Sequence, residues 1–164
     1  GMRRAGSGRI VNLSSMGGKL VFPGGGVYHA AKHAVEALSD ALRFEVAGFG
    51  VDAVIIEPGL IVTNFGEAAV GSMADADDSA PYTEFNAAVA EATAGAYEGP
   101  MARLGAGPEA VAAKIERALS ARRPSPRYKV AASARMLMGM HGVMSDRMWD
   151  RLVAIQYPRP KAES

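Results

Sequence analysis

The chain has 164 residues, 49% hydrophobic and 21% charged, the balance of a single globular domain long enough to bury a core. Its 18 basic and 17 acidic residues leave a net charge of +1, too even to point to nucleic acid or an anionic membrane as partner. The absence of cysteine excludes disulfides and thiolate chemistry, and no apolar run approaches the ~20 residues of a membrane span. Arg3 and Arg4 are not followed by an apolar segment of signal-peptide type, so a soluble, cytoplasmic protein is the expectation.

Residues 1–8 read as a polar lead-in. Residues 9–13 are short and rich in β-branched side chains, flanked by glycine and serine, which predicts a strand running into Ser14 and Ser15. A glycine-rich loop follows, anchored by Leu20, Val21 and Phe22. The longest helical pattern spans residues 28–47, with Val35, Leu38, Ala41, Leu42 and Val46 as its apolar face and Gly48 as its stop. Its small residues Ala30, Ala31, Ala34, Ala37 and Ala41 would let a second helix approach closely. Residues 51–56, apolar except for Asp52, read as a parallel strand buried on both faces rather than an amphipathic one. It ends at Pro58-Gly59, a pair whose commonest use is a turn.

Beyond Thr63 the chain becomes alanine-rich. Two helices are predicted, near residues 65–70 and 81–94, joined by an acidic loop with Asp75, Asp77 and Asp78. That cluster lacks the spaced glycine and terminal glutamate of a calcium loop, so it reads as a solvated loop rather than a metal site. Pro108 opens another helix, with Glu109 in its first turn and Val111, Ile115, Ala118 and Leu119 inward. Residues 127–130 suggest a short strand. Residues 133–152 suggest a helix broken near 139–142, whose methionines serve as adaptable filler. Residues 157–164 read as a loose tail. His29 and His33 are expected on a helix surface and His141 in a loop, with no metal grouping among them.

Tyr28 and Lys32 are four residues apart on one predicted helix and therefore share a face. A cation beside a phenol favours the phenolate and lowers its pKa from about 10, which suits a group that gives and takes protons. In parallel α/β sheets, ligands sit outside the carboxyl ends of the strands. Ser15 follows one such end and Pro58-Gly59 the next, so both should meet the Tyr28 helix at one cleft.

Together these pieces resemble the short-chain dehydrogenase/reductase family. The resemblance rests on Gly8-Arg9-Ile10-Val11-Asn12-Leu13-Ser14-Ser15, on Tyr28-His29-Ala30-Ala31-Lys32 thirteen residues after Ser15, and on Glu57-Pro58-Gly59 followed by Ile61 and Thr63. It implies an α/β fold: the C-terminal part of a doubly wound, Rossmann-type parallel sheet with flanking helices. It implies reversible hydride transfer between NAD or NADP and a small-molecule alcohol or ketone. Tyr28 would be the proton donor and acceptor, Lys32 would tune it and contact the nicotinamide ribose, and Ser15 would orient the substrate oxygen. Pro58, Gly59, Ile61 and Thr63 would hold the nicotinamide carboxamide region, residues 64–100 would be the substrate lid, and helix 28–47 would be a homo-oligomer interface.

Three features depart from the family pattern. Ala31 stands where a serine is frequent. The family's catalytic asparagine has no counterpart, since Asn12 lies within the strand. The glycine-rich dinucleotide fingerprint and the residue that selects NAD against NADP are absent, since neither Gly6-x-Gly8 nor Gly17-Gly18 follows a strand and opens a helix. Residues 1–164 are therefore expected to be one partial domain, the catalytic and substrate-binding half of such an enzyme, with little activity alone and a tendency to self-associate. The competing reading is a non-catalytic remnant that serves as a protein-interaction module.

Overall fold

The computed structural model describes residues 1–71, 82–157 and 159–160. In chain order these form helix α1 (Met2–Ala5), strand β1 (Gly8–Leu13), helix α2 (Gly26–Ala47), strand β2 (Val51–Pro58), helices α3 (Phe65–Gly71), α4 (Thr83–Glu98) and α5 (Pro108–Ser120), strand β3 (Arg127–Val130), and helices α6 (Ala131–His141) and α7 (Asp146–Gln156). The three strands make one parallel sheet in the order β1-β2-β3. Gly8 lies opposite Val51 and Leu13 opposite Ile56, while Ile55 lies opposite Arg127 and Pro58 opposite Val130. Parallel neighbours cannot be joined by a hairpin, so α2 carries the chain from β1 to β2 and α3 to α5 carry it from β2 to β3. This is the α/β arrangement expected from the sequence.

β2 is central because its residues suit burial on both faces: Val54, Ile55 and Ile56 are at most 1% exposed. On one side Val54 and Ile56 pack with Ala118 and Val130, backed by Val111 and Ile115 of α5. A second cluster joins Leu20, Ala134, Met138 and Trp149, with Met140 and Met144 filling around them as the sequence suggested. Pro108 stands at the first position of α5 after Gly107, where its missing N–H costs nothing.

The predicted apolar face of α2 is wrong in part: Val35, Leu42 and Val46 are half-buried, but two of its residues are not. Leu38 is 70% exposed and Ala41 is exposed, whereas the buried residues are His29, Glu36 and Ser39. The reason is polar pairing beneath the helix. Ser39 Oγ accepts a hydrogen bond from Asn12 Nδ2 at 2.8 Å, and Glu36 receives Arg127 from β3 at 3.1 Å. Arg127 also reaches Asp40 at 2.6 Å and lies 3.3 Å from Glu57, a fully buried residue at the end of β2. One guanidinium thus ties the last strand to the helix after the first.

Further predictions need correction. Leu119 is 55% exposed, because the turn of α5 that faces the sheet presents Ala118 instead. His141 belongs to α6, its ring edge-on to Trp149 at 4.7 Å, and the break falls after it, before the Ser145 cap of α7. Tyr157 is not loose, since its ring stacks on Phe22 at 6.5 Å. Met73, Asp75, Asp77, Asp78, Pro81, Pro158 and residues 161–164 lie outside the described residues.

Candidate active site

β1 ends at Leu13 and delivers Ser14 and Ser15 to the carboxyl edge of the sheet. Ser15 then caps a short 3-10 turn, Met16–Gly18, by accepting the N–H of Gly17 at 3.1 Å. That bond engages an acceptor lone pair and leaves the hydroxyl proton free to donate. α2 begins at Gly26, so Tyr28 and Lys32 sit in its first two turns, pointing to the same cleft. Lys32 Nζ donates to the Leu13 carbonyl at 3.1 Å and lies 5.8 Å from the centre of the Tyr28 ring. The lysine is therefore tied to the end of β1 while its charge stays near the phenol.

The cleft encloses about 2030 Å³, and all seven residues singled out from the sequence line it: Ser15, Tyr28, Lys32, Pro58, Gly59, Ile61 and Thr63. Their local roles differ. Gly59 donates its amide to Val130 at 3.0 Å, and a Cβ there would run into Ser133 Oγ, so packing against α6 already demands glycine. Ile61 pairs with Ala106 through its neighbours: Ala106 N–H bonds the Leu60 carbonyl and Val62 N–H bonds the Ala106 carbonyl. The amide and carbonyl of Ile61 consequently point the other way, as a backbone contact to a carboxamide requires. Thr63 Oγ1 accepts the N–H of Phe65 at 3.3 Å. This donor and acceptor set fits the nicotinamide end of a dinucleotide.

His29 is the largest correction. It was expected on the helix surface but is only 7% exposed. The N–H of Phe22 donates to Nε2 at 3.2 Å, so Nε2 must carry the lone pair. The proton of the neutral ring therefore sits on Nδ1, 3.0 Å from the Gly17 carbonyl oxygen. Burial holds its pKa below 6.5, opposed by the Gly17 bond and reinforced by nearby His33. The ring fills the space where a Cβ on Gly17 would come within 2.6 Å of Nδ1 and one on Gly25 within 2.9 Å of Nε2. Close glycines on both sides of a histidine's loop were the available signal.

The sequence also missed Ser133, a fully buried hydroxyl that accepts Leu60 N–H at 3.0 Å and fixes the turn after β2. Tyr97 of α4 lines the cleft with Tyr28, and its phenol is pushed above 10 by burial and by the neighbouring Tyr28. Among the described residues there is no cluster of three potential metal ligands, and no helix is long and apolar enough to cross a membrane.

Residues 1–73 match the family model described as short chain dehydrogenase, a span that contains all seven predicted site residues. The chain is 36% identical over 148 residues to an NADPH-dependent 3-dehydrocapnine reductase of Ornithobacterium rhinotracheale, covering 88% of this chain and 49% of that protein. It is similar to a solved short-chain dehydrogenase from Streptomyces avermitilis, with a TM-score of 0.65 and 30% identity over 92% of this chain and 51% of that one. The fold is also that of ElxO with NADP bound, with a TM-score of 0.52 and 23% identity over 82% of this chain and 49% of that chain. The chain thus spans about half the length of the relatives it matches. Ser15, Tyr28 and Lys32 share one cleft within the matched span, and the chain is similar to the short-chain dehydrogenase/reductase family over residues 1–73 by the family model and over 148 residues by its relatives.

Proposed function

We propose that this chain carries the catalytic and substrate-binding half of an NAD(P)-dependent oxidoreductase that interconverts alcohols and ketones. The observation that carries the reading is the convergence of Ser15, Tyr28 and Lys32 on a single apolar cleft. A bound nicotinamide supplies or accepts the hydride, and the protein supplies position and a proton. In the oxidative direction the carbinol carbon loses a hydride and its hydroxyl proton passes to the Tyr28 oxygen. In reduction Tyr28 returns that proton to the carbonyl oxygen. Ser15 donates a hydrogen bond to the same oxygen, using the proton left free by its cap. Lys32 stands beside the phenol, 5.8 Å from the ring centre.

Ile61 and Thr63 would hold the carboxamide, Lys32 the ribose, and Pro58 and Gly59 the wall behind them. NADPH is the cofactor named for the Ornithobacterium relative and NADP for ElxO, which supports a nicotinamide without choosing between NAD and NADP. Residues 64–100 would serve as the lid. The chain contains no glycine-rich dinucleotide turn, so we expect weak cofactor binding and little turnover by residues 1–164 alone. The test is calorimetric titration with NADH and NADPH, with turnover of secondary alcohols followed at the nicotinamide absorbance. It is run on the 164-residue chain and on the chain with any residues its gene encodes before Gly1. Failure of the longer form to turn over any alcohol or ketone would refute the proposal.

A second reading, an interaction module, is favoured by one observation: Leu38 and Phe44 on α2 are 70% and 88% exposed. Both readings accommodate a homo-oligomer through α2. Only the first makes turnover depend on Tyr28.

A further inference from the structure

We propose that the cleft takes an uncharged long-chain alcohol or ketone, its oxygen at Tyr28 and its apolar chain laid along an aromatic track to α7. The reactive end of this ligand rests on the oxidoreductase reading; the track does not. It starts at Tyr28, whose ring lies 5.6 Å from that of His29, and passes to Phe22 at 6.1 Å. From Phe22 it reaches Trp149 at 5.8 Å and Tyr157 at 6.5 Å. Leu137, Met140, Leu152 and Val153 from α6 and α7 complete the wall.

Two properties of the track select the ligand class. The first is that its two nitrogen-bearing rings, His29 and Trp149, have their polar atoms occupied. Both nitrogens of His29 are bonded, to Gly17 and Phe22, and Trp149 Nε1 donates to the Val21 carbonyl at 3.3 Å. These rings therefore offer apolar surface and no free hydrogen bond. The second is the placement of charge. Among the described residues lining the cleft, only Lys32 and Glu91 are charged; Lys32 is tethered at the reactive end and Glu91 is exposed. A carboxylate, phosphate or ammonium carried along the track would lose its water and meet no counter-charge. An alkyl chain loses nothing there, and the methionine and leucine side chains can adjust to its length.

A concave track that begins at the proton-transferring phenol suits a ligand better than a second protein copy, which would approach a protruding face. The occupancy is directly measurable. Trp149 is the single tryptophan, 7% exposed, and stands at the α7 end of the track. Its fluorescence is to be titrated with hexanol, octanol, decanol and dodecanol, and with dodecanedioate. Burial of apolar surface predicts binding that tightens about two- to fourfold per added methylene. Dodecanedioate, which leaves a carboxylate on the track whichever end meets Lys32, should bind at least tenfold more weakly than dodecanol. Leu152→Glu and Met136→Glu, both at partly exposed wall positions, should flatten the length dependence without unfolding the chain. Tyr28→Phe should leave it intact.

A Trp149 signal indifferent to chain length overturns the proposal, as does dodecanedioate binding as tightly as dodecanol. So does a response that disappears as light scattering shows the chain dimerising, since the track would then be covered by a second copy. If length dependence holds while no form of the protein transfers hydride, the oxidoreductase reading fails and the track stands. If short alcohols turn over while Trp149 ignores long ones, the reverse is true.

Discussion

His29 and Gly17 lock each other: the imidazole Nδ1 donates to the Gly17 carbonyl at 3.0 Å while the glycine has no side chain to push the ring away. Gly17 in turn donates its amide to Ser15. The histidine next in sequence to Tyr28 therefore braces the loop that holds the serine. The brace needs a neutral ring, because a protonated Nε2 could not accept the Phe22 amide.

A pH dependence follows. The unfolded ring takes a proton near 6.5, whereas burial holds the folded ring's pKa lower. Just below pH 6.5 the unfolded state binds more protons, so stability is lost as pH falls through that window. Urea midpoints at pH 7.5 and 5.5 should show this loss. His29→Gln, which keeps a donor and an acceptor but cannot titrate there, should lose less. Equal losses in both proteins would remove His29 from the account.

Tyr28→Phe should lower turnover by at least about 10²-fold, since general acid–base catalysis contributes ~10²–10⁴. The ring is half-buried and its contact with Phe65, 5.3 Å between centroids, survives the substitution. The circular dichroism spectrum should be unchanged. Ser15→Ala removes both the donated hydrogen bond and the cap on Gly17, so it should also lower the thermal midpoint.

Glu57→Gln should stabilise the fold at pH 8 and not at pH 4.5. The carboxyl is fully buried, and neither oxygen has a hydrogen-bond partner among the described residues. Arg127 Nε is 3.3 Å away but directs its N–H to Glu36. Burial, then the charge of Glu36, raise the Glu57 pKa above 4.5, against the pull of Arg127. Above pH 4.5 the folded state holds more protons than the unfolded one. Stability is therefore lost as pH rises through the folded pKa. The amide does not titrate, so its advantage should grow with pH in denaturant melts.

Ala131→Gly should stabilise rather than destabilise. Ala131 links β3 to α6 at φ 71°, a left-handed backbone that costs a non-glycine residue ~1–2 kcal/mol. Relief of that strain should exceed the added chain entropy of glycine, about 0.4–1 kcal/mol. A lower urea midpoint for the variant would show that the strain is absent.

Much of this was readable from the residues. The β-branched run of β2 and the Pro108 start of α5 are local signals, and they placed both elements. Ser15, Tyr28, Lys32 and Thr63 could be brought to one cleft because strand ends and helix faces follow from chain order. The orientation of α2 was not readable. Periodicity marked Leu38 as inward, but Arg127 arrives 91 residues later than Glu36 and makes the polar face the buried one. The aromatic track is equally non-local, since Phe22 meets Trp149 only through the fold.

The reach of Arg127 also bears on how the chain matures. Residues up to 58 can pair β1 with β2 as they are synthesised, and Lys19 can already meet Glu36 at 3.2 Å, yet Glu57 must wait for a guanidinium 70 positions further on. Contacts of such separation are slow to form, and carboxylates destined for burial resist it until their cation comes. A nascent chain halted before residue 127 should therefore keep α2 loosely docked, open to chaperones and proteases, and tighten only when the third strand slides in beside the second.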